Sequence, residues 1–256
     1  MKKLLFLFII ISMLTSCVTN LATKASFAPL FEKQGDAVFK GCIGPSKVQG
    51  DLSVAVMPNI AVGVNGSYSL QDNNLDIFSD VEDRKHDFTG LNVGFFDHHK
   101  KFYYEIFGGY GTGRSKSVVS EYSSTSDLNS TYKQFDLQTD LAFKFTKITK
   151  TGHWVYKTVG YSFIYTYNEV DNLWFDIDKI KMNREHLNPK TVGNYFFYRV
   201  GGQYLQGELN VGLVLPLDSN SEAAGYNYGN SGMFTVGLVH LSVGFSYDIS
   251  HLFQRK

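Results

Sequence analysis

Residues 234–249 read FTVGLVHLSVGFSYDI, and within them Val239, Leu241, Val243, Phe245 and Tyr247 alternate with His240, Ser242, Gly244 and Ser246. A period of two sends successive side chains to opposite sides of an extended chain, so this stretch is a strand with one apolar face and one small or polar face. The pattern recurs through the chain. Leu52, Val54 and Val56 alternate with Ser53 and Ala55, and Ile60, Val62 and Val64 with Ala61, Gly63 and Asn65. Residues 135–145, FDLQTDLAFKF, set Phe135, Leu137, Leu141, Phe143 and Phe145 against Asp136, Gln138, Asp140, Ala142 and Lys144. Similar strands are expected over 35–43, 88–96, 102–111, 154–167, 194–200 and 204–215. The count is about ten, within a range of roughly eight to twelve, and even numbers suit antiparallel closure.

The connections alternate in length. Reversals near 58, 98–101, 148–152 and 201–203 are short, whereas 71–86, 112–130, 168–193 and 217–231 are long and polar. Short turns at one rim and long loops at the other are the pattern of up-and-down barrels of outer-membrane type. The expected fold is therefore an all-β, antiparallel, transmembrane-type up-and-down β-barrel over 34–250. A sandwich would expose the polar faces to water, whereas a barrel turns them into its lumen. There Glu105, Asp136, Asp140, Lys144, Arg199, Glu208 and His240 are expected, with Asp136, Asp140 and Glu105 pairing with Lys144 and Arg199.

Bulk properties agree. The formal net charge is zero and no basic stripe appears, which argues against nucleic acid as a partner. Aromatic residues reach 15% and there are 24 glycines, as suits sheets at a membrane interface. A mean hydropathy of -0.14 excludes a bundle of membrane helices but not a barrel with a polar lumen.

The N-terminus begins with Lys2 and Lys3, then the apolar run LLFLFIIISML, too short for a good spanning helix and typical of a secretory signal over 1–16. Leu14-Thr15-Ser16-Cys17 resembles the bacterial lipobox, which implies lipidation of Cys17. Residues 17–33 lack sustained periodicity and are expected to be a periplasmic tether, which puts the N-terminus on the periplasmic side of an outer membrane. Cys42 is expected to be a small, moderately buried strand residue, and 251–256 a short C-terminal tail.

Residues 27–36, FAPLFEKQGD, then Gly50-Asp51-Leu52-Ser53-Val54-Ala55-Val56 and Asn59-Ile60-Ala61-Val62-Gly63-Val64-Asn65-Gly66 carry a further resemblance. They resemble a family of uncharacterised outer-membrane β-barrel lipoproteins from Bacteroidetes-type bacteria, over about 27–250. The resemblance implies fold and location and brings no activity with it. The tail beyond Tyr247 departs from barrels that end on an aromatic residue.

No constellation argues for an enzyme or a cofactor. His98-His99 sits in a lysine-flanked turn. Asp76, Asp80, Glu82 and Asp83 could gather a divalent cation, but their spacing matches no EF-hand. His240-Leu241-Ser242 imitates the H-x-S element of outer-membrane lipid A deacylases, yet alternation sends both polar residues to the lumen, and no third group orients a base. Gly108-Gly109-Tyr110-Gly111-Thr112-Gly113 lacks the strand–turn–helix setting of a phosphate loop. Expected partners are outer-membrane lipid, with lipopolysaccharide or surface ligands at the long loops. The sequence leaves three roles open: a structural or surface-interaction barrel, a narrow pore for a small solute, and a periplasmic lipoprotein binding an apolar ligand.

Overall fold

The computed structural model describes residues 26–44, 47–69, 81–121, 124–149, 151–152, 154–177, 180–184, 188–217 and 238–253. Its strands are β1 (Ala37–Ile43), β2 (Lys47–Met57), β3 (Ile60–Ser69), β4 (Val81–His99), β5 (Phe102–Glu121), β6 (Ser124–Ile148), β7 (Trp154–Ile177), β8 (Ile180–Arg184), β9 (Lys190–Gly201), β10 (Leu205–Pro216) and β11 (Leu238–Asp248), followed by a single helical turn, α1 (Ser250–Phe253). Each neighbouring pair is antiparallel, and β1 pairs with β11 from Val38↔Asp248 to Ile43↔Val243. With β6 also paired to β7, ten strands close into an up-and-down barrel; β8 is extra and pairs only with the far end of β7. Closure matters physically because it leaves no unpaired sheet edge around the wall. The seam is tied at the rim that carries the short turns, where Ser250 Oγ accepts from the Ala37 amide at 2.8 Å and the Ile249 amide donates to Ala37 O at 2.8 Å.

Two expected loops are largely strand, and the end of a third is too. β5 runs on to Glu121 and β6 starts at Ser124, so most of 112–130 is a continued hairpin. β7 and β8 occupy much of 168–193, and β4 begins at Val81 inside the expected 71–86 excursion. Along these extensions the outward positions are Arg114, Lys116, Asn129, Thr131 and Lys133. With polar groups on the outer face the period-two signal fades, while the backbone ladder continues undisturbed. About 9–11 tilted residues cross a bilayer; β6 has 25 and β7 has 24. Their surplus projects beyond the long-loop rim, polar at the outward positions named above.

Below that extension, outward side chains are apolar and exposed: Leu52, Val62, Leu91, Val93, Leu137, Phe196, Leu209 and Val243 among them, Leu91 at 64% and Val243 at 61%. Aromatic rings bracket this band. Phe102 and Phe143 pack at 4.9 Å near the short turns, and Tyr110 and Phe135 pack at 4.9 Å near the other edge. Eight residues of β5 separate Phe102 from Tyr110 (110 − 102). At ~3.4 Å per residue and a tilt of ~40° the band is roughly 20 Å high.

Inward aromatics lie across glycines of the adjoining strand. A Cβ on Gly160 would sit 2.1 Å from the Phe197 ring, on Gly212 2.2 Å from Tyr195, and on Gly94 2.3 Å from Phe107. These glycines are there for close approach, so each ring can lie flat on the wall instead of pointing across the lumen.

Candidate functional site

The end of the stretch expected as a tether enters the barrel. In residues 26–33, Ser26, Phe27, Ala28 and Phe31 are all buried, each 2% exposed or less. Phe31 packs in a cluster with Val38, Ala55, Ala61, Phe96 and Phe107, its ring 5.2 Å from Phe96. Ala28 joins Tyr103, Ala142 and Phe197, with Leu30 against them. The segment turns at Leu30 (φ 62) and leaves for β1 through Gly35 (φ 87), where a residue without a Cβ suits the left-handed backbone. A water-borne tether has no reason to carry Phe27, Leu30 and Phe31. Those residues were the sequence signal for a lumen plug, and without a strand period they formed no recognisable element.

The plug is held by its main chain. Lys40 donates to Ser26 O at 2.5 Å, Gln138 Nε2 to Phe27 O and Arg199 Nη2 to Ala28 O; the Phe31 amide donates to Glu105 Oε1 at 3.1 Å. Ser26 Oγ and Ser162 Oγ share a hydrogen bond at 2.5 Å. Behind the plug, Glu208 ties the cations to the wall, with Lys40 Nζ and Arg199 Nε both at 2.5 Å and Asn210 Nδ2 at 2.6 Å. Charges taken out of water this completely persist only when paired and hydrogen-bonded. One buried carboxylate therefore anchors the two cations that grip the plug.

At the rim, Glu32 Oε1 accepts from Lys144 Nζ at 2.6 Å and from Tyr103 OH at 2.6 Å. Burial opposes ionisation of Glu32, but the Lys144 and Tyr103 hydrogen bonds and the Lys144 charge outweigh it and hold the carboxyl below its usual value. Asp36 Oδ2 receives the Glu32 and Lys33 amides at 2.8 and 2.9 Å, closing the turn that follows.

Glu105, Asp136, Asp140, Arg199, Glu208 and His240 are buried, and Lys144 is partly exposed at the short-turn rim. The expected pairings among them need correction. Arg199 is bound to Glu208, its register partner in the β9–β10 hairpin, and Lys144 to Glu32 of the plug. The turn at 201–203 set that Arg199–Glu208 register and was visible in the sequence, whereas Glu32 reaches Lys144 only because the plug folds inward. Glu105 and Asp140 stand opposite each other on β5 and β6, but Glu105 takes the Phe31 amide and Asp140 the Gln138 amide at 2.8 Å. His240 sits edge-on to Tyr195, centroids 5.5 Å apart, and neither its ring nitrogens nor Ser242 Oγ has a hydrogen-bond partner among the described residues. Cys42 is a free, buried thiol. Cys17, Asp76 and Asp80 lie outside the described residues; Glu82 and Asp83 fall in β4. No His, Cys, Asp and Glu grouping among the described residues could hold a metal ion.

No protein-family model and no curated protein matches the chain, so the resemblance to a lipoprotein family gains no support there. Several solved barrels are similar in outline. The KdgM porin aligns with a TM-score of 0.38 and 9% identity, covering 83% of this chain and 98% of that one. The translocator domain of the autotransporter NalP from Neisseria meningitidis gives 0.46 and 11%, covering 83% and 86%. The outer membrane protease OmpT from Escherichia coli gives 0.38 and 10%, covering 84% and 93%. Alignments this loose speak to neither activity nor ligand.

Proposed function

We propose that this chain is an outer-membrane β-barrel lipoprotein, anchored through Cys17, that serves as a scaffold for surface interaction. The observation that carries the reading is the outward band of apolar side chains, bracketed by aromatic rings and overtopped by a polar sheet. Water would not tolerate so large a continuous apolar surface on a monomer, and a bilayer matches its height. The polar extension of β4–β8 then stands clear of the membrane, where lipopolysaccharide or another surface ligand can meet it. The plug and its ion pairs close the lower lumen, which favours a scaffold over a permanently open pore, and among the described residues no oriented nucleophile and base come together in the lumen. Both strand termini of the barrel lie at the short-turn rim, the periplasmic one in this reading.

The test is insertion without the lipid anchor. A Cys17→Ala chain with a substitute signal peptide should stay with outer membranes through carbonate washing and show heat-modifiable migration. Release of that variant by carbonate would overturn the membrane reading.

The pore reading keeps one observation in its favour: buried lumen atoms such as Asn65 Oδ1, Asn92 Oδ1 and Ser242 Oγ have no hydrogen-bond partner among the described residues.

A further inference from the structure

We propose that residues 26–33 are a removable plug, and that their departure opens a passage for small uncharged polar solutes along one wall of the lumen. This rests on the reading of the barrel as membrane-spanning and goes beyond it by making the scaffold a gated conduit.

The wall survives loss of the plug. Lys40 and Arg199 give hydrogen bonds to plug carbonyls, but both also contact the Glu208 carboxylate at 2.5 Å, one at each oxygen. When the segment leaves, both cations keep their contact with Glu208. Because recognition is mainly through main-chain carbonyls, the plug can detach without removing the counter-charge of these two cations, and Glu105 exchanges the Phe31 amide for water as the lumen opens.

Elsewhere the wall is already built for a polar occupant. Along β2, β3, β4, β10 and β11, the buried atoms Ser53 Oγ, Asn65 Oδ1, Asn92 Oδ1, Asn210 Oδ1 and Ser242 Oγ, with both ring nitrogens of His240, have no hydrogen-bond partner among the described residues. A closed, dry core would not keep so many unsatisfied groups on the strands that flank β1 on either side. Hydroxyl, amide and imidazole groups suit water and uncharged, hydroxyl-bearing solutes, to which they can both donate and accept.

An exit is also present. Beside the plug a cavity of about 450 Å³ opens at the short-turn rim, lined by Glu32, Lys33, Tyr103, Lys144 and Arg199 among others. The plug's connection to β1 passes through Gly35 at φ 87, a backbone position that a glycine can leave and re-enter without steric penalty.

The 2.5 Å contact between Ser26 Oγ and Ser162 Oγ gives a direct test, since paired cysteines there would lock the plug to β7. A Ser26→Cys/Ser162→Cys chain, with Cys17→Ala and Cys42→Ala, is refolded into phospholipid vesicles, and swelling is followed in an isosmotic arabinose solution. Expected is several-fold faster swelling after reduction than in the oxidised form, with a chain lacking residues 26–33 swelling at least as fast as the reduced one. Equal swelling in the oxidised and reduced forms, in vesicles where heat-modifiable migration shows insertion, would overturn the gate while leaving the membrane reading intact. Failure of the locked chain and the unsubstituted Cys17→Ala chain alike to insert would overturn both.

Discussion

Arg199 grips Ala28 by its main-chain carbonyl while its Nε holds Glu208 at 2.5 Å, so one guanidinium joins the plug to the barrel wall. Because the wall contact is fully buried, Arg199 contributes to stability as well as to closure. Removing one partner of a buried pair typically costs ~3–5 kcal/mol, and Lys40 beside Glu208 puts this site at the lower end. Arg199→Gln should lower the unfolding free energy by about 3 kcal/mol in urea titrations of the detergent-folded protein. Arg199→Lys should recover part of that. A change under ~0.5 kcal/mol, the range of ordinary surface substitutions, would remove Arg199 from this role.

Phe197 lies on Gly160 so closely that an added methyl group has no space. Gly160→Ala should destabilise by about 1–3 kcal/mol, the usual cost of overpacking. Gly108, with nothing within 4 Å of its would-be Cβ, is the control. Gly108→Ala should be neutral, and Phe197→Leu should rescue Gly160→Ala. Equal effects at the two glycines would mean that strand propensity, not ring contact, governs these sites.

Glu32 supplies a pH dependence with a definite sign. Its folded-state pKa lies below the ordinary value of 4.5, so the ionised latch contributes fully above about that pH and is lost as pH falls through the folded value. The Glu32 side chain is about half exposed, so its worth is that of a screened ion pair, ~0–1 kcal/mol. Wild type should exceed Glu32→Gln in unfolding midpoint at neutral pH, and the two should converge as pH drops below 4.5. A gap that persists or widens in acid would contradict the assignment.

Val243 sits within the apolar band, with the exposed Ile43 and Leu209 as its cross-strand partners. Arginine near the bilayer midplane costs a barrel ~2–4 kcal/mol. Val243→Arg should therefore fold poorly into vesicles, whereas Lys116→Glu, on the polar extension, should fold as wild type does. Efficient folding of Val243→Arg would place this band outside the membrane.

Much of the wall was legible because strand alternation is local. Leu137, Leu141 and Phe143 declare their face by spacing alone, and a wall of ten strands is the sum of such stretches. The extensions of β5, β6 and β7 were not legible, since outside the apolar band nothing selects a hydrophobic face and Ser-rich sequence resembles a loop. Likewise, the inward Gly–aromatic contacts depend on which glycine the register sets beside which ring.

At its start, residues 234–249 were one amphipathic strand. The described part, β11, is now the seam strand, with Val243 and Phe245 outward and His240 and Ser242 inside. The amino-acid sequence by itself determined the strand periodicity, the even strand count and the polarity of each face, because each depends on residues one or two positions apart. Only the tertiary structure decided what fills the lumen. Lys40, Gln138 and Arg199 converge on Ser26, Phe27 and Ala28 from three separate strands, and that meeting exists only after the barrel has closed in one register.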